Sequence, residues 1–173
     1  DASGADLRQF RNWYSQAGTP HLTVRDEYDE AAHCYTLHVE QSCPETPGQT
    51  AKLPFVIPLA MGLLGEAGNL HLRPVGTTPD PETSDNTHTV LTINQLTQTF
   101  VFEGVAERPV PSLLRGFSAP VRLHYDYSKN DLCALARRDA DGFVRWDSVQ
   151  ALATLVIGEV EKQLLTGAPL QVD

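Results

Sequence analysis

The sequence predicts a mainly β protein, an antiparallel β-sandwich with one helix before it and helices after it. Two observations carry this. Between residues 22 and 127 apolar side chains recur at every second position, in short runs divided by turn residues, without the strand–helix alternation of a parallel sheet. On either side of that stretch the apolar period lengthens to three and four.

At the N-terminal end Leu7, Phe10 and Tyr14 fall at helical spacing, with Trp13 widening the stripe. Ser3 ahead of Asp6 is a start signal, and Gly18 and Pro20 are stops. Two large aromatics on so short a helix need a surface, either the sandwich edge or a neighbouring domain. The period then becomes two. Leu22 and Val24 alternate with polar residues, as do Tyr35, Leu37 and Val39 against His38 and Glu40. Phe55, Ile57, Leu59 and Met61 alternate with Val56, Pro58, Ala60 and Gly62. Pro58 cannot donate to a ladder, which argues for an edge or a bulge there. Leu70 with Leu72, residues 90–93, residues 100–102 and Val121, Leu123, Tyr125 and Tyr127 bring the expectation to seven or eight strands.

Residues 98–127 read as two strands flanking a link pinned by Pro109, Pro111 and Pro120. Residues 42–54 and 74–89 read as flexible surface loops. Beyond Tyr127, Ser128 and Asn130 precede Asp131 and a short helix through Leu132, Leu135 and Ala136. Asp141–Gly142 marks a turn. Trp146, Val149, Ala153, Val156, Val160 and Leu164 then define a long amphipathic helix, with Leu152 and Leu155 widening its stripe and Gly167 and Pro169 ending it. Such a stripe seeks a partner.

Charge is unevenly placed. Residues 1–107 carry 14 acidic and 5 basic side chains, which accounts for the net charge of −9, and residues 108–173 carry 8 of each. An acidic body argues against a nucleic-acid groove, because phosphates need clustered Lys and Arg. The arginines between Arg108 and Arg138 read as solvated surface, with an acidic neighbouring domain as their alternative partner. No run of about 18 apolar residues exists to span a membrane, and the first residues lack the layout of a secretory signal. A start at Asp1 without methionine suits an excised fragment. Cys34, Cys43 and Cys133 are too few and too odd for a disulfide framework, which suggests a reducing compartment such as the cytoplasm.

The search for chemistry assigns no catalytic, cofactor-binding or metal-binding residue. None of His21, His33, His38, His71, His88 or His124 begins an H-E-x-x-H pair. Cys34, His38, Glu40 and Cys43 match no closed zinc spacing and read as outward strand positions. Ser118, His124 and Asp126 are the residue types of a hydrolase triad, but no G-x-S-x-G elbow accompanies them. Gly62, Gly65 and Gly68 lack the Lys-Ser/Thr of a phosphate loop. Glu159 and Glu161, two apart on a helix, point to different sides.

Three blocks go further: DLRQFRNWYSQAGTP at 6–20, FVFEGVAERPVPSLLRGFSAPVRL at 100–123 and RWDSVQ at 145–150. Together they resemble the bacterial-type aminopeptidase N family, zinc metallo-aminopeptidases of the gluzincin group. The resemblance implies that residues 1–18 correspond to the end of a thermolysin-like catalytic domain. Residues 19–127 would be an immunoglobulin-like sandwich, and residues 128–173 the opening of a helical C-terminal domain. It also implies that zinc, its H-E-x-x-H ligands and the G-A-M-E-N substrate motif lie outside this segment, since the single methionine, Met61, is followed by Gly62.

On that resemblance the chain is a fragment expected to be inactive alone. Its partners would be the neighbouring catalytic and helical domains, with peptide substrates for the parent, no nucleic acid and no membrane span. A free-standing β-sandwich interaction module is the alternative, and a hydrolase using His124 and Asp126 a third reading.

Overall fold

The computed structural model describes residues 6–76, 86–167 and 169. Seven strands are present among them: β1 (His21–Asp29), β2 (Cys34–Ser42), β3 (Ile57–Leu64), β4 (Thr89–Ile93), β5 (Thr97–Glu103), β6 (Val110–Leu113) and β7 (Arg122–His124). They form a four-stranded sheet in the order β5-β2-β1-β7 and a three-stranded sheet in the order β4-β3-β6. Helix α1 (Asn12–Ser15) precedes them, and α2 (Lys129–Arg138) and α3 (Gly142–Thr166) follow.

The period-two pattern sets the register. Val24 lies opposite Val39 and Leu37 opposite Phe100, so each inward row faces the second sheet as a unit. Leu22, Val24, Tyr35, Leu37, Val39 and Phe102 meet Ile57, Leu59, Met61, Leu63, Leu91 and Ile93 in one core. Each fully buried aliphatic side chain there contributes about 1.5–3 kcal/mol.

Four strand expectations change. Leu70 and Leu72 form no strand; Leu70 donates to Leu63 and Leu72 to Asn86 across irregular chain. The proline-pinned link contains β6, which tolerates Pro111 because, among the described residues, it is an edge strand paired with β3 alone. Pro58 sits in a central strand, but β6 covers only residues 61–64 of β3, so the flank beside Pro58 has no strand neighbour. The N–H of Ala60, on the same side of the strand, donates instead to Ser118 Oγ at 3.0 Å. The antiparallel pattern also has one exception: β7 runs parallel to β1, and it covers three residues rather than continuing to Tyr127.

From Leu59 to Leu64 β3 is buried on both faces: Ser118 and Arg115 lie over Ala60 and Gly62, and the helices cover Leu64. Leu64, Leu135 and Val144 form a second small core with Val110, Tyr127 and Ala134. α2 begins at a reciprocal cap in which Ser128 Oγ accepts from the Asp131 N–H and Asp131 Oδ2 accepts from the Ser128 N–H. α3 begins at Asp141, whose Oδ1 accepts from the Val144 N–H at 2.9 Å, and ends at Gly167, with φ of 68°. Only Val144 and Ser148 of α3 are buried, so its apolar stripe stays open.

The N-terminal segment is a 3-10 turn (Gln9–Arg11) continuing into α1, shorter than the spacing suggests; Ser3 lies outside the described residues. Of its two alternatives the sandwich edge is realised, by Trp13. Trp13 packs against Phe55 with ring centroids 4.7 Å apart and donates to the Val56 carbonyl at 2.8 Å. Tyr14 is 84% exposed. Residues 42–54, expected to be loose, are tied down: Lys52 Nζ donates to the Ala17 carbonyl, Thr46 Oγ1 and Gln49 Oε1. Gln16 and Leu53 exchange two hydrogen bonds.

Trp13→Ala is therefore expected to lower stability by about 3 kcal/mol, while Tyr14→Ala stays within about 0.5 kcal/mol. Urea denaturation of the two variants measures both.

Candidate functional site

Where the sandwich hands over to the helices, one arginine organises the chain. β6 is followed by Leu-Arg-Gly-Phe, in which Leu114, Gly116 and Phe117 all adopt positive φ, at 54°, 61° and 54°. Two non-glycine residues in that region cost energy that the surroundings must offset. Arg115, between them, supplies the offset. Its Nε donates to Ser112 Oγ at 2.7 Å, Nη1 to the Thr87 carbonyl at 3.1 Å, and Nη2 to Asn69 Oδ1 at 2.7 Å and Asp139 Oδ1 at 3.2 Å. Both side chains of the Arg115–Asp139 ion pair are buried, at 4% and 0% exposure.

Gly62 makes room for this: a Cβ there would overlap the Arg115 guanidinium. Asp139 is the C-terminal cap of α2 and also accepts from the Asp141 N–H at 2.8 Å. Asp141 in turn accepts from the Gly116 N–H at 3.0 Å. The α2–α3 turn and the strained loop thus hold each other. The reading of the arginines as solvated surface fails at Arg115.

The loop presents Phe117 outward. Its ring lies 5.4 Å from that of Phe143, which lies 6.1 Å from that of Trp146. Phe117 and Trp146 remain 54% and 59% exposed. Beside them is a depression of about 350 Å3 lined by Leu113, Leu123, Phe143, Arg122 and Asp147, among others. Partial desolvation in this depression raises the carboxyl of Asp147, an otherwise exposed residue, above its ordinary value. An aromatic, partly concave surface on a locked loop is suited to holding another surface.

A second polar clamp joins β1 to the chain after β7. Asp26 accepts from Tyr125 Oη at 2.7 Å and from Arg108 Nη2 at 3.1 Å. Tyr127 Oη donates to the Pro111 carbonyl at 2.7 Å. Burial, more than any neighbouring charge, pushes the Tyr35, Tyr125 and Tyr127 phenols upward, so all three stay neutral.

The residues considered for chemistry do not converge. Cys34 opens β2 and Cys43 follows its end, with His38 between them bonded to Thr99 Oγ1 at 3.0 Å. Ser118 Oγ is engaged by Ala60, and His124 Nε2 faces His21 Nδ1 at 3.2 Å instead of a serine. Asp126 is exposed. Glu159 pairs with Lys129 at 2.7 Å. Among the described residues no group of three or more His, Cys, Asp or Glu is placed to hold a metal ion, and no helix is long and apolar enough to cross a membrane. Sequence reasoning missed Arg115 with Asp139, and Asp26 with Tyr125. The usable signal was a charged residue inside the apolar run Leu113–Leu114–Arg115 followed by glycine.

Fold and surface define an immunoglobulin-like β-sandwich carrying a docked helix and a locked helical hairpin. Residues 18–126 match the family described as "Domain of unknown function (DUF3458) Ig-like fold", and the chain belongs to that family. It is 43% identical over 157 residues to aminopeptidase N of Escherichia coli (strain K12), covering 91% of this chain and 17% of that protein. It is 40% identical over 151 residues to aminopeptidase N of Haemophilus influenzae, covering 87% of this chain and 17% of that one. The crystal structure of Legionella pneumophila aminopeptidase A in complex with aspartic acid superposes with a TM-score of 0.76 at 29% identity, over 99% of this chain and 17% of that chain. The chain is therefore homologous to a segment of aminopeptidase N, spanning about a sixth of these relatives.

Removing one partner of a buried ion pair strands the other charge. Arg115→Met is thus expected to cost about 3–5 kcal/mol, read by urea denaturation. Asp147 gives a pH test. A carboxyl raised in the folded state favours folding fully below its unfolded value of 3.8, and that contribution is lost as pH rises through the folded value. Asp147→Asn is expected to raise the Tm at pH 7, with the difference vanishing below about pH 4.

Proposed function

We propose that this chain is the rigid joint of a zinc aminopeptidase, with the catalytic chemistry supplied by parts of the parent outside it. The carrying observation is the identity of 40–43% with aminopeptidase N over most of this chain. In this reading residues 1–18 end a catalytic domain, 19–127 form the spacer, and 128–173 open a helical C-terminal domain. The parent hydrolyses the N-terminal residue from peptides with zinc-activated water. The spacer fixes the angle between the catalytic and helical domains, and the chain alone is inactive.

The physical features support such a joint. Leu7, Phe10 and Tyr14 are exposed at one end, and Ile157, Leu164 and Leu165 at the other, which suits surfaces that neighbouring domains cover. The hairpin is fixed to the sandwich by a buried ion pair rather than by a flexible linker. Three unpaired cysteines support a reducing cytoplasm.

A full-length aminopeptidase carrying this segment, with residues 19–127 replaced by a flexible linker, is expected to keep its zinc by metal analysis and lose peptide hydrolysis. Retained hydrolysis would overturn the joint and favour an independent interaction module.

A further inference from the structure

We propose that His21 and His124 form a two-imidazole site for a divalent transition-metal ion of the zinc, nickel or copper type. The residues are far apart in sequence and meet because β7 runs parallel to β1, with Thr23 opposite His124 and His21 opposite Arg122. Their rings lie 5.1 Å apart at 38°, and His124 Nε2 stands 3.2 Å from His21 Nδ1. Zinc binds histidine nitrogen at 2.0–2.1 Å, so two nitrogens on one tetrahedral ion are about 3.3–3.4 Å apart. The pair is already at chelating separation.

Without an ion the same two atoms share one N–H···N hydrogen bond. To take a metal, the donating ring shifts that proton to its other nitrogen, so that both facing nitrogens present lone pairs. No co-reactant is needed.

The surroundings select the class of ion. Imidazole suits zinc, copper and nickel, whereas magnesium and calcium require oxygen ligands. Arg25 and Arg122 share the outward face with the pair, and Asp126 lies beyond it. Guanidinium groups on that face repel every divalent cation, so binding there has to come from imidazole coordination rather than from charge. An open depression of about 420 Å3, lined by Thr23, Arg25 and Asp126 among others, borders His124 and gives water access to that side of the pair.

Bound there, the ion bridges β1 to the three-residue strand from which the chain runs into α2. It fastens the exit from the sandwich. This inference is independent of the proposed aminopeptidase role and of any zinc used in catalysis.

The test titrates the chain with Zn2+ alone, and separately with Mg2+, by calorimetry and by the side-chain 15N resonances of the histidines. The expected result is one saturable Zn2+ site, with shifts confined to the rings of His21 and His124 and no response to Mg2+. Losing even a partner behind a ligand costs about 10–100-fold in metal affinity, so His124→Ala and His21→Ala are each expected to weaken binding at least about tenfold. His38→Ala is expected to bind as the unchanged chain does. Zinc shifts at cysteines or other histidines, unaltered affinity in His124→Ala, or no saturable binding would overturn the site and leave a hydrogen bond only. The ring resonances of the unchanged chain decide the matter even where a variant folds poorly.

Discussion

The buried pair of Arg115 and Asp139 is the constraint on which the arrangement of sandwich and helices depends. Burying two charges costs several kcal/mol per ion, and mutual attraction offsets it only when the remaining donors are satisfied. Arg115 meets that condition through Ser112, Asn69 and the Thr87 carbonyl, which belong to separate parts of the sandwich. Asp139 meets it less completely, since Oδ2 has no partner. The pair therefore contributes more to geometry than to stability. A hairpin docked in another orientation would leave a guanidinium and a carboxylate buried apart, and that alternative is steeply unfavourable.

This explains why a loop can hold Leu114 and Phe117 at positive φ. Left-handed backbone at a bulky residue is disfavoured. Here the side chain between them is locked at four acceptors, and the Gly116 N–H is taken by Asp141. The strain places Phe117 against Phe143 and so links the end of β6 to the start of α3. Gly62 completes the constraint from the opposite strand, because only a residue without Cβ lets the guanidinium lie on β3.

Much of the sandwich was legible because period two survives in β1 and β2: Leu22, Val24, Leu37 and Val39 are all buried as their alternation implies. The legible part ended where the pattern is short or carried by proline. Pro111 reads as a breaker, yet an edge strand does not need its N–H, so β6 was hidden inside the link. β7 offers three residues, too few for periodicity to give its direction, and the parallel pairing that joins His21 to His124 is invisible without it. Arg115 and Asp139 were missed for a different reason. A charged residue reads as surface unless its partners are known, and those partners lie 24 residues away in the case of Asp139 and 46 in the case of Asn69.

The outer segments show how attachment and exposure coexist. Gln9, Asn12 and Trp13 donate from one side of the N-terminal segment to carbonyls of residues 54, 56 and 94, while Tyr14 turns away. At the other end Leu135 and Val144 bury against Leu64, while the later turns of α3 carry Ile157, Leu164 and Leu165 into the open. Each segment is thus fixed through its near side and apolar on its far side. Side-chain hydrogen bonds to carbonyls are directional, whereas apolar contact is not. A segment held only by apolar contact could slide over the sandwich; one held by directional donors at several points cannot. The polar anchors therefore define where the two outward apolar surfaces stand relative to each other, and the sandwich between them transmits that placement through a close-packed core with little compressibility.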